Sequence, residues 1–191
     1  MNNKTSNLKE KLKQALSSTA RAISDDFETK DELDKNKNSK KFDLFDIENL
    51  NSKNDFIKAR AEFDTAALKK KFSNEKIYKK NIPSNSSCRS LYSIAEKIRY
   101  ESLGAKMLKG IEKNLIENYN QIINSKRKDQ LKTKEDVPII DAFELYMLKK
   151  FHNIKLNTLT DKMLNFWERD FDKVIENHIN FLKDNLEYQD K

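Results

Sequence analysis

Residues 87–124 read SCRSLYSIAEKIRYESLGAKMLKGIEKNLIENYNQIIN. Apolar side chains recur along this stretch at spacings of three and four residues, which is the periodicity of one face of an α-helix. We therefore expect one continuous helix, about 57 Å long at 1.5 Å per residue. A helix of this length needs support from several neighbours, so we expect it to be the spine of the domain. Its apolar positions are Leu91, Ile94, Ala95, Ile98, Ala105, Leu108, Ile111, Leu115, Tyr119 and Ile122.

The composition of the whole chain agrees with a helical fold. Of its 191 residues, 37% are hydrophobic and 36% are charged, but only two are glycine and two are proline. A β-sandwich or an α/β domain needs turn residues at many joints, whereas a few long helices need almost none. We predict an all-α fold, a bundle of about five helices organised on the long central helix. The length favours a single domain over residues 1–191.

The N-terminal third contains two further predicted helices. Residues 6–23 carry one helical stripe, with Ser6 as a plausible N-cap, and a second helix is predicted over residues 55–72. Between them, residues 24–41 are rich in Asp and Glu and predict a mobile acidic loop. The short apolar segment 42–50 fits a strand and a helical turn equally well.

The C-terminal third contains two more predicted helices. Residues 135–151 form the first, with Pro138 in its first turn, where a missing N–H is tolerated. Residues 157–187 form the second, and Thr158 or Thr160 is its predicted N-cap.

The charge balance is basic, since 38 Lys and Arg residues outnumber 31 Asp and Glu residues and leave a net charge of +7. This balance is compatible with nucleic-acid, anionic-membrane or acidic-protein partners and selects none of them. Cys88 is the single cysteine, which excludes an intramolecular disulfide and a cysteine-based zinc site. A lone cysteine fits a reducing compartment, and the sequence contains no apolar run long enough for a membrane span. We therefore expect a cytoplasmic protein without membrane partners.

Few residues could support catalysis. His152 and His178 are the two histidines, and neither lies in a metal-binding motif such as H-E-x-x-H. The chain has no phosphate-binding loop, because its two glycines are too few to build one. We therefore expect no catalysis by this chain alone, and no metal or cofactor bound to it.

Both glycines, Gly104 and Gly110, fall inside the predicted long helix. Each costs about 1 kcal/mol relative to alanine in a helix interior. Such a cost indicates that another chain segment approaches closely at both positions. The segment could be a neighbouring helix of the same domain, which we favour, or part of a partner protein.

Residues 94–115 read IAEKIRYESLGAKMLKGIEKNL. This stretch resembles the signature of the N-terminal region of CobT, a subunit of the aerobic, ATP-dependent cobaltochelatase. Ser102 stands where the family usually has alanine. Weaker similarities at 19–23, 59–68 and 167–169 extend the resemblance along most of the chain. The positions that match the signature are Glu96, Arg99, Glu101, Gly104, Ala105, Met107, Gly110, Asn114 and Leu115.

The resemblance implies a function in cobalamin biosynthesis. In that family, the CobT-like subunit assembles with an AAA+ ATPase and couples it to a large corrin-binding subunit that inserts cobalt. The resemblance thus implies a non-catalytic assembly subunit, with ATP, magnesium and cobalt belonging to the complex rather than to this chain. It leaves homo-oligomerisation open.

Full-length members of that family also carry a C-terminal von Willebrand factor A domain with a D-x-S-x-S metal site. This sequence contains no such motif. We therefore expect the chain to correspond to the N-terminal domain alone.

The signature has two interpretations. Glu96, Arg99 and Glu101 could brace neighbouring helices through a buried ion network, which we favour, or they could contact a partner. An alternative function is a general scaffold or a basic helical domain that binds nucleic acid, but the sequence has no helix-turn-helix or RNP-type pattern to support the latter. The lysines that would contact phosphates are Lys69–Lys71, Lys79, Lys80 and Lys126–Lys128.

Overall fold

The computed structural model describes residues 2–25, 52–125 and 131–190. Within these ranges the chain forms eight α-helices and one short 3₁₀ turn, without any β-strand, so the all-α prediction is confirmed. The predicted acidic loop beyond Asp25 and the apolar segment 42–50 lie outside the described residues. The helices are α1 (Asn2–Ser24), α2 (Lys53–Phe72), α3 (Glu75–Asn81), α4 (Ser86–Met107), α5 (Lys109–Ser125), α6 (Ile139–His152), α7 (Thr158–Asn165) and α8 (Glu168–Asp184).

The chain divides into two compact units, residues 1–71 and residues 72–191. The first contains α1 and nearly all of α2, and the second contains the remaining helices. That the whole chain forms one domain stays a prediction.

The helices of the first unit begin earlier than expected. Helix α1 begins at Asn2, so Ser6 lies within the helix and is not its N-cap. Helix α2 begins at Lys53 because the preceding Ser52 caps it: the Ser52 hydroxyl accepts from the Asp55 N–H at 3.2 Å, and the Asp55 carboxylate accepts from the Ser52 N–H at 2.8 Å. This reciprocal arrangement satisfies two N–H groups that would otherwise have no partner in the helix.

The prediction of one continuous helix over residues 87–124 is wrong, because Leu108 interrupts the helix. Leu108 is extended, with φ −139° and ψ 118°. Its N–H donates to the Gly104 carbonyl and ends α4, while its own carbonyl accepts from the N–H groups of Ile111 and Glu112 and begins α5. A single residue with extended backbone therefore divides the predicted central helix into two helices.

The physical reason for the break is burial of the second half of the predicted helix. In a straight helix, residues 18 positions apart would be separated by about 27 Å, yet the Tyr119 hydroxyl donates a hydrogen bond to the Glu101 carboxylate across that sequence separation. Helix α5 thus folds back and packs against α4. The side chains buried along α5 include Ile111, Leu115, Tyr119 and Ile123.

The two glycines differ in environment. Gly104 is buried in the last turns of α4, as close packing requires. Gly110 is exposed near the start of α5, and a Cβ atom built there has nothing within 4 Å. No described residue therefore packs closely against Gly110, and for the described part of the chain the prediction of a neighbouring helix at this position is wrong.

Helix α6 is the centre of the second unit, because it packs against α4, α7 and α8. Pro138 precedes α6 as its N-cap instead of lying within its first turn, and Val137 before it is extended, as steric clash with a following proline requires. The helix is apolar on most of its circumference, which explains its central place. Its buried residues are Ala142, Phe143, Leu145, Tyr146, Met147 and Leu148.

The predicted C-terminal helix is also divided. Helix α7 ends at Asn165 and α8 begins at Glu168, with Phe166 and Trp167 between them. The Trp167 indole N–H donates to the Val137 carbonyl at 3.1 Å, which holds this joint against the segment before α6. The N-cap of α7 is Asn157, and neither predicted threonine serves as the cap.

The contrast between the glycines predicts a difference in stability. Gly104→Leu should lower the free energy of unfolding by about 1–3 kcal/mol or more, since a large side chain must enter a packed site. Gly110→Leu should cause no loss and could add a few tenths of a kcal/mol, because leucine is the better helix former and the site is open. Thermal melts followed by circular dichroism measure both. An equal drop in the two variants would contradict the different environments assigned to the two glycines.

Candidate functional site

The centre of the signature is a side-chain pair on α4. The Arg99 guanidinium donates to both carboxylate oxygens of Glu96, from Nε at 2.7 Å and from Nη2 at 3.0 Å. The Arg99 side chain is only 12% exposed, and Glu96 is buried. This two-pronged geometry is the arrangement that a guanidinium prefers with a carboxylate.

The same guanidinium also binds two distant backbone carbonyls. Arg99 Nη1 donates to the Leu186 carbonyl at 2.7 Å, and Nη2 donates to the Phe72 carbonyl. Phe72 is the last residue of α2, and Leu186 follows α8. One arginine therefore connects both ends of the second unit to α4.

Glu96 strengthens the same connection. Its Oε1 atom accepts from the Ser73 hydroxyl at 2.7 Å and from the Gln189 amide at 2.8 Å. The Gln189 side-chain oxygen accepts in turn from the Asn74 N–H at 2.6 Å. We call this group, Ser73, Asn74, Glu96, Arg99 and Gln189 with the two carbonyls, the clamp.

Glu101 has a separate place from the clamp. Glu101 is 1% exposed, and its carboxylate accepts a hydrogen bond from the Tyr119 hydroxyl. Burial, and secondly the charge of Glu101, raise the pKa of Tyr119 well above its ordinary value, so the phenol remains a donor. Asn114 on α5 is also buried.

The remaining signature residues lie at the break between α4 and α5. Met107 is 39% exposed, Leu108 beside it is 47% exposed, and Gly110 is exposed as well. We call Met107–Gly110 the corner. Ala105, one turn earlier, is half-buried.

The structure thus divides the signature residues between two places. Glu96, Arg99 and Glu101 contact groups within the second unit, a geometry that favours the bracing interpretation. Met107 and Gly110 are presented outward at the corner. The i,i+3 pairing of Glu96 with Arg99 follows from helical spacing alone. Sequence reasoning missed the partners of the clamp, because Phe72, Leu186 and Gln189 are far away in sequence and two of them contribute only carbonyls.

The two histidines lie on different helices. His178 is exposed on α8, while His152 ends α6 with its Nε2 atom buried and without a hydrogen-bond partner among the described residues. Burial, helped by the nearby Lys97 charge, lowers the pKa of His152 to about 4. The ring lies 6.0 Å from that of Tyr119, centroid to centroid. His152 is therefore neutral at pH 7.

Metal ions, membranes and nucleic acids are three further kinds of ligand for which the structure can be compared with the sequence. Among the described residues, no group of three or more His, Cys, Asp or Glu side chains could hold a metal ion, and no helix is long and apolar enough to cross a membrane. Lys71 forms an ion pair with Asp25, and Lys79 pairs with Glu75 at 2.7 Å. Lys126–Lys128 lie outside the described residues. Nucleic-acid binding stays a prediction.

The clamp predicts that Arg99 cannot be replaced by lysine. Arg99→Lys should lower the free energy of unfolding by about 3 kcal/mol or more, because an ammonium cannot hold the carboxylate and two carbonyls together and leaves buried groups unpaired. The matched control is Lys79→Gln in an exposed i,i+4 pair, where the loss should stay below about 0.5 kcal/mol. Urea unfolding curves measure both. Equal losses would show that the clamp does not hold the unit.

His152 predicts a pH dependence of stability. Its pKa falls from 6.5 in the unfolded chain to about 4 in the folded chain, so the unfolded state binds the proton more tightly. Stability should therefore fall as the pH drops from 6.5 towards 4, by up to about 3 kcal/mol from this group. His152→Gln should remove this component from urea unfolding curves, whereas His178→Gln should retain it. Identical pH profiles for wild type and His152→Gln would contradict the assignment.

Comparison with known proteins supports the resemblance given by residues 94–115. Residues 6–191 match the CobT family, described as cobalamin biosynthesis protein CobT. Neither a curated protein nor a solved structure matches the chain. Since the family match spans nearly the whole chain and includes the clamp, the corner and the buried Glu101, the chain belongs to the CobT family of cobalamin biosynthesis proteins.

Proposed function

We propose that this chain is a non-catalytic assembly subunit of a cobaltochelatase, and that it couples an AAA+ ATPase to a large subunit that inserts cobalt into the corrin ring. Membership of the CobT family supports the place in cobalamin biosynthesis. The coupling role is what the resemblance implies, and the corner is the observation that supports it. Cobalt is cargo of the complex in this proposal, and ATP with magnesium belongs to the ATPase.

The corner has the properties of a docking surface. Met107 and Leu108 are adjacent large apolar side chains that are both more than a third exposed. Exposed apolar side chains that are contiguous mark protein-binding surfaces more often than single ones do. Gly110 leaves open space beside them, so a partner's backbone can approach α5 closely. Because packing against the described residues gives Gly110 no role, we attribute this glycine to an external contact.

The clamp suits transmission of force from this surface. Helix α4 carries the clamp at its middle and the corner at its C-terminal end. The clamp fixes α4 to both ends of the second unit, so a displacement imposed at the corner is passed on to α4 and to the segments that the clamp holds. This arrangement needs no reactive group, which agrees with an assembly role.

The proposal predicts that changes at the corner weaken binding without unfolding the chain. Leu108→Glu and Gly110→Leu should each raise the Kd for the AAA+ subunit of the same genome by about tenfold or more, as loss of a central apolar contact does. Co-purification with ATP, with ADP and without nucleotide, followed by titration, measures this effect. Binding should depend on the nucleotide.

Val174→Glu is the matched control. Val174 is 71% exposed on α8, so the substitution adds the same charge at another exposed apolar position. It should leave the Kd unchanged. Absence of binding in every nucleotide state, or an unchanged Kd for Leu108→Glu with an intact thermal melt, would overturn the proposal.

A further inference from the structure

A cleft in the second unit carries an unusual concentration of lysines. It has a volume of about 320 Å³ and lies among α4, α5, the end of α6 and the end of α8. This volume is near the lower limit for small-molecule sites, which begin at about 300 Å³. The four basic residues that line it are Lys106, Lys109, Lys150 and Lys183, and we call it the lysine cleft.

The charge of the lysine cleft is only partly compensated. Glu112 is the one acidic residue of its lining, and it pairs with Lys109 at 2.9 Å. The Lys150 ammonium pairs with two carboxylates that do not line the cleft. Its Nζ atom lies 3.4 Å from Asp172 Oδ1 and 3.8 Å from Glu176 Oε1. Lys106 and Lys183 form no ion pair with any residue in the described part of the chain. Two cations therefore line this cleft without a counter-charge from any described residue.

The lining also contains two polar atoms without partners. Ser102 is 6% exposed, and its hydroxyl oxygen is buried without a hydrogen bond to any described residue. His152 Nε2, in the lining as well, is in the same state. A buried polar atom without a partner destabilises the folded state, and such atoms are rare in folded proteins. Two in the lining of one cleft indicate that a ligand with polar atoms completes it.

These features together define the chemistry of the ligand. Unpaired ammonium groups attract negative charge, and a buried hydroxyl can donate to an oxygen acceptor. We propose that the lysine cleft binds a compact polyanion whose phosphate or carboxylate oxygens contact Lys106, Lys183 and the Ser102 hydroxyl. The proposal concerns this chain by itself and does not depend on binding to an ATPase.

Inorganic tripolyphosphate and citrate are the two probes, one for each source of oxygens. Each is titrated into the 191-residue chain at low ionic strength while amide and imidazole resonances are followed by NMR. We expect saturable shifts at Ser102 and His152 with at least one probe, and the preferred probe distinguishes phosphate from carboxylate. Failure of both probes to shift these resonances would overturn the proposal.

Charge-matched variants separate the site from general attraction to a basic protein. The variant Lys106→Gln/Lys183→Gln removes the two unpaired cations and should weaken binding about tenfold or more. The control Lys76→Gln/Lys155→Gln removes the same charge at exposed positions outside the lining and should keep the affinity. An equal loss in both variants would show that binding is not in the lysine cleft.

Discussion

The bidentate bond between Arg99 and Glu96 is the interaction on which the second unit depends. A buried ion pair stabilises a fold only when further hydrogen bonds compensate for the loss of water. Here the compensation comes from the Phe72 and Leu186 carbonyls, the Ser73 hydroxyl and the Gln189 amide. These partners belong to the beginning and the end of the unit, so satisfying one guanidinium also closes the unit on itself.

The two halves of the sequence signature lie in different surroundings on α4 and at its C-terminal end. Its first half meets the clamp and the buried Glu101–Tyr119 bond, which fix α4 and fold α5 back upon it. Its second half lies where α4 ends, and Leu108 turns the chain there at the cost of leaving two apolar side chains in water. A helix held by the clamp and ending in exposed apolar side chains fits the proposed assembly role, because the clamp holds that end of α4 in place before a partner binds.

Much of the fold could be predicted from the sequence, because turn residues are few and apolar side chains recur at helical spacing in α1, α5, α7 and α8. The break at Leu108 could not, since leucine is a good helix former and the stripe runs through it without interruption. The chain breaks at Leu108 because the break lets Ile111, Leu115 and Tyr119 be buried against the rest of the unit. This burial is a tertiary effect, which the local sequence does not show. The joint at Trp167 likewise depends on a distant contact, the hydrogen bond to the Val137 carbonyl. The start of α6 depends on the steric limits of Pro138. Apolar periodicity indicates neither.

The candidate site was predictable to a smaller extent. Helical spacing alone pairs Glu96 with Arg99, and the glycine cost marks Gly104 and Gly110 without distinguishing between them. The carbonyl partners of Arg99 have no sequence signal, because every residue has a carbonyl. The lysine cleft has none either, since the fold brings Ser102 and Lys183 together from positions far apart in the chain.

Hydrogen–deuterium exchange of the chain in complex with its AAA+ partner tests the central claim most directly, namely that the clamp is internal and the corner is the contact. We expect slower exchange at residues 105–112 when the partner is present, with no change at residues 96–101, where Glu96, Ile98, Tyr100 and Glu101 are already buried. Unchanged exchange at 105–112, together with new protection on α8 or at 96–101, would contradict it.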